Sequence, residues 1–271
     1  MTIRSSSAMK NTPNRAINTP KSKLIFALDV GGSLAENLAW VDQLKGHVGL
    51  FKVGKEAFTR FGPELIHEIR ARDAEVFLDL KFHDIPSTVA RAAEAAFSLG
   101  VSMFNVHALG GKAMMSAAVR ALAQAAAGRV DSAPALLAVT VLTSMNGDDL
   151  CDMGISQSIA EMVVRLASLA QEAGISGVVA SAGDIAAIRQ SCGRSFLIVT
   201  PGIRGTLAIA RDDQKRIWTA YEAIRSGADY IVVGRPIRTA KDPVAEAEKF
   251  VKEIAEGIAA GSEQRVTAGS M

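Results

Sequence analysis

The sequence predicts a protein of the α/β class, folded as a single (β/α)8 TIM barrel. Eight short apolar runs alternate with helical patterns along the chain, which is typical of parallel strands joined by helical crossovers. The length of 271 residues also suits such a barrel, which takes about 250 residues. A doubly wound open sheet is the alternative, but Gly31–Gly32 lacks the glycine spacing of a dinucleotide-binding turn. We therefore favour the closed barrel.

Each predicted strand is a short run of β-branched and apolar residues. Polar residues such as Asp29 and Lys52 stand at the ends of several of these runs. In chain order, the predicted strands are Lys23–Val30, Leu50–Val53, Glu75–Phe82, Met103–Ala108, Ala135–Thr143, Gly177–Ala182, Phe196–Thr200 and Tyr230–Val233.

The predicted helices follow from amphipathic periodicity and from residues that begin or end a helix. Ser33 is a suitable N-cap for the first helix, and Pro243 suits the first turn of the last one. Gly100 and Gly174 each close a helical stretch. In chain order, helices are predicted over 34–45, from Pro63 onward, over Ile85–Leu99, 112–126 and Ser156–Ala173, from Asp184 onward, and over Asp242–Gly261.

Three segments are expected along the chain: a disordered basic extension over 1–22, the catalytic barrel over 23–261 and a flexible tail over 262–271. The extension contains Ser, Asn and Pro without apolar periodicity. A transit peptide is an alternative for it, because such peptides also lack acids. The first 23 residues carry only cations, so the net charge of +2 becomes −3 for the rest of the chain.

Composition narrows the classes of partner. The negative charge of the barrel argues against nucleic-acid binding. Charges or glycines interrupt every apolar run before the roughly 18 residues of a membrane span. The two cysteines, Cys151 and Cys192, form no disulfide framework and are typical of a reducing compartment. We therefore expect a soluble protein of a reducing compartment such as the cytoplasm, without a nucleic-acid partner.

Charged residues stand where a barrel of this class places its chemistry, at the carboxyl ends of the strands. Strand side chains alternate, so Asp79 and Lys81 share a face while Leu80 points away. Together with Lys52 and Asp84 they make two cations and two anions. An alternating network would keep each of them ionised. A solvated cluster of salt bridges is the plain structural alternative.

A phosphate site is predicted after strands seven and eight, where such barrels often bind phosphate. Gly202 and Gly234 would let backbone N–H groups approach an anion, and Arg235 would add charged donors. The connection from Ile203 to about Arg216 is longer than the usual strand-to-helix loop. It predicts a lid over the substrate, with a surface insertion as the alternative.

These motifs resemble those of the orotidine 5′-phosphate decarboxylases, in the order in which that family has them, over about residues 23–255. Ser87 stands where Asn is expected, and Leu109 where Ser is common. Neither departure touches the charged set. The matching strings are Ala27-Leu28-Asp29, Phe51-Lys52-Val53-Gly54, Asp79-Leu80-Lys81-Phe82-His83-Asp84-Ile85-Pro86, Pro201-Gly202-Ile203-Arg204 and Val233-Gly234-Arg235-Pro236-Ile237.

The resemblance implies decarboxylation of orotidine 5′-monophosphate to UMP, the last step of pyrimidine synthesis, without a cofactor or metal. It implies that Lys81 protonates ring carbon 6, that Asp79 lies against the substrate carboxylate, and that Lys52 holds this aspartate and the ribose. It also implies a homodimer in which Asp84 reaches the partner's site. The further substrate contacts that it implies are Asp29 at the ribose, Ile85 and Thr88 with Asp84, Thr143 and Ser144 at the pyrimidine, and Arg204, Gln214, Gly234 and Arg235 at the phosphate or the lid.

Two other functions stay open at this stage. A sibling barrel that decarboxylates or condenses sugar phosphates shares the Asp-x-Lys-x-x-Asp pattern but uses magnesium. A non-catalytic nucleotide-binding barrel would bind UMP without turnover. The four histidines have no ligand spacing, so the residues themselves predict no metal site. His107 is as well suited to packing or hydrogen bonding as to contacting a substrate.

Overall fold

The computed structural model describes residues 19–129, 133–204 and 218–268. In these residues eight parallel strands, β1 to β8, pair in sequence order, and β8 pairs with β1 to close a barrel. The predicted (β/α)8 barrel is confirmed. The strands are Leu24–Ala27, Leu50–Gly54, Glu75–Phe82, Met103–His107, Ala135–Val139, Gly177–Val179, Leu197–Pro201 and Tyr230–Val233.

Helices α1 to α10 cover the outside of the barrel or occupy the connections at its carboxyl end. In the described part of the chain they are Leu34–Leu44, Lys55–Arg70, Pro86–Ser98, Gly111–Ala126, Gly147–Asp152, Ile159–Glu172, Ile185–Cys192, Ala220–Ser226, Arg235–Arg238 and Pro243–Ala268. None of the helices in these residues is long and apolar enough to cross a bilayer.

Two apolar clusters separate the inside of the barrel from the layer between strands and helices. Inside, side chains such as Ile25, Phe77 and Val232 pack together. Outside, alternate residues of the same strands, such as Phe26 and Leu78, pack against the helices. Because side chains alternate along a strand, the polar residues that continue the inner series project into the carboxyl end of the barrel. This alternation positions the candidate site.

Four predicted strands are longer than the observed ones. Strand β4 is shorter by a single residue, since it ends at His107 and not at Ala108. Strand β1 ends at Ala27 and β6 at Val179, whereas the predictions extended them to Val30 and Ala182. Strand β5 ends at Val139 instead of Thr143, because both neighbouring strands stop pairing with it at that residue. Thr143 therefore lies in the following loop and not at a strand end.

The helix predictions need five corrections. Helix α2 begins at Lys55, before the predicted start at Pro63, and Gly62 interrupts it with a φ of +57°. Helix α10 continues to Ala268, past the predicted end at Gly261 and into the predicted tail. Three short helices, α5, α8 and α9, were not predicted. Of these, α8 has a capping box between Thr219 and Glu222, a sequence signal that could have revealed it.

Parts of three predicted segments lie outside the described residues. These are residues 1–18 of the predicted extension, 205–217 of the predicted lid, including Gln214, and 269–271 of the predicted tail. The end of the predicted extension is described and ordered. It forms a short 3-10 helix over Lys21–Lys23, and the Ser22 hydroxyl donates to the Thr19 carbonyl at 2.7 Å.

Candidate active site

A charged network occupies the carboxyl end of the barrel, built from three neighbouring strands. Lys52 on β2 lies between two carboxylates: its Nζ is 3.2 Å from Asp29 Oδ2 and 3.3 Å from Asp79 Oδ2. Lys81 on β3 places its Nζ 2.6 Å from Asp79 Oδ1. The order along the network is therefore anion, cation, anion, cation, as a low-dielectric site requires if every group is to stay ionised.

The local backbone at Lys81 departs from a regular strand. The pairing of β3 with β4 shifts register between Leu78 and Phe82, and Lys81 has a φ of +52°. A non-glycine residue in this left-handed region costs roughly 1–2 kcal/mol. The side chain of Asn105 compensates, since its Oδ1 accepts the Lys81 N–H at 2.7 Å.

Opposing effects act on the pKa of Asp79. Burial raises the pKa of this carboxyl, but Lys52, Lys81 and the Asn105 amide lower it by more, so the pKa lies below its ordinary value. Only 12% of the Asp79 side chain is exposed. The carboxyl is therefore a buried anion that its neighbours hold in the charged form.

This lowered pKa predicts an acid-dependent loss of stability. A carboxyl with a lowered folded pKa stabilises the fold above its unfolded pKa of about 3.9, and loses that contribution as the pH falls through the folded value. We expect the difference in unfolding free energy between the wild type and Asp79→Asn to be constant from about pH 7 to 5 and to shrink below about pH 4. Urea unfolding at several pH values measures it.

The control for that experiment is Asp152→Asn, which changes an exposed carboxylate on α5. Its difference from the wild type is expected to be small throughout the same pH range. A difference for Asp79→Asn that is unchanged down to about pH 2.5 would contradict the lowered pKa.

Asp84 does not join the network of its own chain. It is exposed, its Oδ1 accepts the N–H of Ile85 at 2.6 Å, and it forms no salt bridge within the described ranges. Ile85 is 64% exposed, and Thr88 lies in the first turn of α3. The structure thus brings together three of the four predicted charged residues, while the fourth faces outward.

The predicted phosphate elements follow adjacent strands. Arg204 comes after β7, and Gly234 and Arg235 come directly after β8, which pairs with β7. Gly234 lies so close to β1 that a Cβ there would be 3.2 Å from the Ala27 Cβ. Arg204 and Arg235 are both exposed. The guanidinium groups therefore stand at the same end of the barrel as the charged network.

Thr143 and Ser144 are exposed in the loop that precedes α5. The same carboxyl end holds a stacked pair of imidazoles, His83 and His107, with ring centroids 5.6 Å apart. Burial is the main cause that lowers the pKa of His107, and the nearby His83, Lys81 and Lys55 lower it further. No group of three or more His, Cys, Asp or Glu side chains suited to a metal ion occurs among the residues described.

Two contributors were missed by the sequence analysis. Asn105 is inside the barrel and fully buried. Arg238, in α9, donates from its guanidinium to the Asp29 carbonyl and so ties the β1 loop to the segment after β8. Asn105 could have been found, because it is a polar residue at an inward position of a strand. Arg238 could not, because its contact with Asp29 joins residues far apart in the sequence and no local pattern predicts it.

Comparison with known proteins identifies the family. The model of the orotidine 5′-phosphate decarboxylase / HUMPS family matches residues 22–250. The chain belongs to this family. The predicted resemblance is confirmed.

Named relatives of this family match most of the chain. The orotidine 5′-phosphate decarboxylase of Syntrophus aciditrophicus is 60% identical over 238 residues, 88% of this chain and 95% of that protein. The one from Syntrophotalea carbinolica is 53% identical over 242 residues, 89% of this chain and 98% of that protein. The crystal structure of the Lactobacillus acidophilus decarboxylase has a TM-score of 0.75 at 38% identity, covering 85% of this chain and 98% of that one.

Membership of the orotidine 5′-phosphate decarboxylase / HUMPS family supports the predicted enzyme class, a carboxy-lyase. The comparison also favours this reaction over the sugar-phosphate alternative, because the Syntrophus and Syntrophotalea relatives carry the decarboxylase name at 60% and 53% identity. A non-catalytic barrel does not fit a member of this family that retains the charged residues at its strand ends.

Proposed function

We propose that this chain decarboxylates orotidine 5′-monophosphate to UMP and carbon dioxide, with Lys81 as the proton donor. The observation that carries this proposal is the Lys81 ammonium, 2.6 Å from the buried Asp79 carboxylate at the mouth of the barrel. The bond from ring carbon 6 to the carboxylate breaks, its electron pair stays on carbon 6, and carbon dioxide leaves. The Lys81 ammonium then gives a proton to carbon 6 and is reprotonated from solvent.

The network contributes electrostatic stabilisation to this step. Asp79 would repel the substrate carboxylate, and the repulsion ends when carbon dioxide leaves. At about 4 Å and an effective dielectric constant of 20 this is worth roughly 4 kcal/mol, or about three powers of ten in rate. A full rate enhancement corresponds to a lowering of the barrier on the order of 20 kcal/mol, so this repulsion alone is not sufficient. Stabilisation of the carbanion by Lys81 and binding energy from the phosphate supply the rest.

The remaining substrate contacts are proposed from where the residues lie at the carboxyl end of the barrel. Asp29 and Lys52, which lie 3.2 Å apart, bind the ribose hydroxyls, and Thr143 and Ser144 contact the pyrimidine. The phosphate binds at Arg204, Gly234 and Arg235, where backbone N–H groups and guanidinium forks can converge on its oxygens. Gln214 closes over the phosphate from the proposed lid.

The active form is proposed to be a homodimer with shared sites. Four large apolar side chains are exposed in the connections that follow the adjacent strands β3, β4 and β5: Ile85 at 64%, Leu109 at 39%, Leu142 at 37% and Met153 at 52%. Large apolar side chains exposed at the same end of a barrel are typical of a protein interface. Burying these side chains against a second copy would carry the exposed Asp84 and Ile85, and the half-buried Thr88, toward the partner's site.

A cytoplasmic location belongs to the same proposal. The two cysteines are both free thiols, with Cys151 exposed and Cys192 buried. Thiols persist in a reducing compartment, where this biosynthetic reaction would take place.

Gly54 offers a test of the ribose contact. A Cβ at Gly54 would lie 2.9 Å from Asp29 Oδ1 and 3.2 Å from Lys52 Nζ. Both atoms are the ends of flexible side chains, so we expect Gly54→Ala to shift this ion pair while the fold persists. The expected result is a rise of about tenfold in KM, since misplaced binding groups weaken substrate binding. Steady-state kinetics measure it.

The matched control is Gly46→Ala, at a glycine where a Cβ would meet nothing within 4 Å. Its KM should equal that of the wild type. If Gly54→Ala also leaves KM unchanged, the Asp29–Lys52 pair does not hold the ribose.

The activity itself is tested by adding purified protein to orotidine 5′-monophosphate with EDTA present. We expect the orotidine absorbance to fall and UMP to form at the same rate with and without the chelator. Conversion that EDTA abolishes, or activity only on a sugar phosphate, would favour the magnesium-dependent siblings. Tight UMP binding without turnover would contradict the enzyme assignment.

A further inference from the structure

Asn105 has no role in the proposed chemistry, although it lies beside the residues that perform it. It lies in the middle of β4, points into the barrel and is fully buried. Its amide contacts both members of the central ion pair. The Asn105 Nδ2 donates to Asp79 Oδ1 at 2.7 Å, and its Oδ1 accepts the backbone N–H of Lys81, also at 2.7 Å.

The first of these bonds fixes the orientation of the Asp79 carboxylate. Oδ1 of Asp79 receives both the Asn105 amide at 2.7 Å and the Lys81 ammonium at 2.6 Å. Oδ2 is then directed to Lys52, 3.3 Å away. Without the amide donor, the carboxylate could rotate about its own axis and exchange the oxygens that face the two lysines.

The second bond, from the Lys81 N–H to Asn105 Oδ1, replaces a backbone hydrogen bond that the sheet does not provide at Lys81. Leu78 pairs with Phe104 and Phe82 pairs with Val106, so four steps along β3 correspond to two along β4. The regular ladder is interrupted at Lys81, where the backbone has a φ of +52°. A buried N–H without an acceptor is costly. The Asn105 carbonyl supplies that acceptor and holds the backbone in its left-handed conformation.

We propose that Asn105 is a positioning residue that fixes where the Lys81 ammonium lies in the site. It does so by holding the bulge in β3, the register shift between Leu78 and Phe82. This inference rests on the proposed role of Lys81. One amide bonds both to the backbone that carries the ammonium and to the carboxylate that receives it, so the two groups move together. Asn105 itself touches no reacting atom.

The test compares Asn105→Ala with Asn105→Asp in steady-state kinetics across pH. Asn105→Ala loses both hydrogen bonds, and we expect kcat to fall about a hundredfold, as for a reacting group displaced by about 1 Å. KM and the dissociation constant of UMP should stay within about threefold, because phosphate and ribose contacts are untouched.

Asn105→Asp gives a readout that a purely structural role would not move. The introduced carboxylate faces Asp79, Lys81 and Lys52. When ionised it can still accept the Lys81 N–H but cannot donate to Asp79. When protonated it can donate again. We therefore expect its kcat deficit relative to the wild type to narrow as the pH falls from about 8 toward 5, while the deficit of Asn105→Ala stays constant.

Thr140→Val is the matched control, since Thr140 is also fully buried, comes directly after β5, and its hydroxyl donates to the Val179 carbonyl at 3.1 Å. It should lower stability without changing kcat. If Asn105→Ala fails to fold, the near-isosteric Asn105→Asp decides alone. At about pH 8, a kcat within about threefold of the wild type for a folded Asn105 variant would overturn the proposal. So would a kcat deficit of Asn105→Asp that does not narrow as the pH falls.

The outcome is separable from that of the proposed function. If Lys81→Ala keeps full activity, the role of Lys81 is wrong and Asn105 has nothing to position. If Lys81→Ala is inactive and the Asn105 variants are fully active, the role of Lys81 stands and the positioning role of Asn105 is wrong.

Discussion

Lys81→Ala is expected to lower kcat/KM by at least about 10⁴-fold. General acid catalysis contributes about 10²–10⁴ and a preorganised charge beside a developing anion about 10²–10³, and Lys81 is proposed to provide both. The ammonium that remains, Lys52, lies 3.3 Å from the far oxygen of Asp79 and cannot replace it at carbon 6. Initial rates of orotidine 5′-monophosphate loss measure the effect.

The matched control is Lys112→Ala. Lys112 also pairs with a carboxylate, Glu172, at 2.8 Å, but on the exposed outside of the barrel. Exposed ion pairs contribute only about 0–1 kcal/mol, so this variant should be as active as the wild type. UMP should still bind to Lys81→Ala within about tenfold of its normal affinity, because the phosphate elements are intact. A loss of activity below about tenfold would exclude Lys81 as the proton donor.

Mixed dimers give the second large effect. Asp84→Ala alone is expected to lose about 10³-fold in kcat/KM, because an anion that orders the lysine network is removed. When Asp84→Ala and Lys81→Ala chains exchange subunits, half of the dimers are mixed, and each mixed dimer has one complete site if Asp84 acts across the interface. We therefore expect recovery of about a quarter of the wild-type activity.

Two observations motivate that expectation. Asp84 is exposed and forms no salt bridge in the described part of its own chain, and the neighbouring Ile85 is the most exposed large apolar residue described, at 64%. The control is to mix Lys81→Ala with Asp79→Ala, two residues of one site, which should recover nothing. Native mass spectrometry would establish that mixed dimers form. Mixed dimers without recovered activity would place Asp84 in its own chain's site.

Alternation along strands made much of the site predictable. Asp79 and Lys81 were predicted to share a face, and the 2.6 Å contact between them confirms it. The same periodicity found β3 and β8 with the bounds that the structure has. Hydrophobic pattern determines which side chains enter the barrel, and the carboxyl ends of its strands are where such barrels place chemistry.

What could not be predicted depends on geometry between strands. The bulge in β3 and the φ of +52° at Lys81 could not be predicted from the residue types, because a lysine in a strand pattern predicts regular strand geometry. The role of Asn105 follows only from that bulge. Strand β5 was predicted too long because Thr140 to Thr143 is still β-branched and apolar in part, while the end of pairing at Val139 is set by β4 and β6.

The most direct measurement of the central claim is exchange of the carbon 6 hydrogen of the product in D2O. By microscopic reversibility, a lysine that protonates carbon 6 also removes its proton. A 5-fluoro substituent stabilises the carbanion, so 5-fluoro-UMP is the better probe. We predict that the wild type catalyses exchange, followed by proton NMR, and that Lys81→Ala does not while still binding the nucleotide. Equal exchange by both proteins would contradict the role of Lys81.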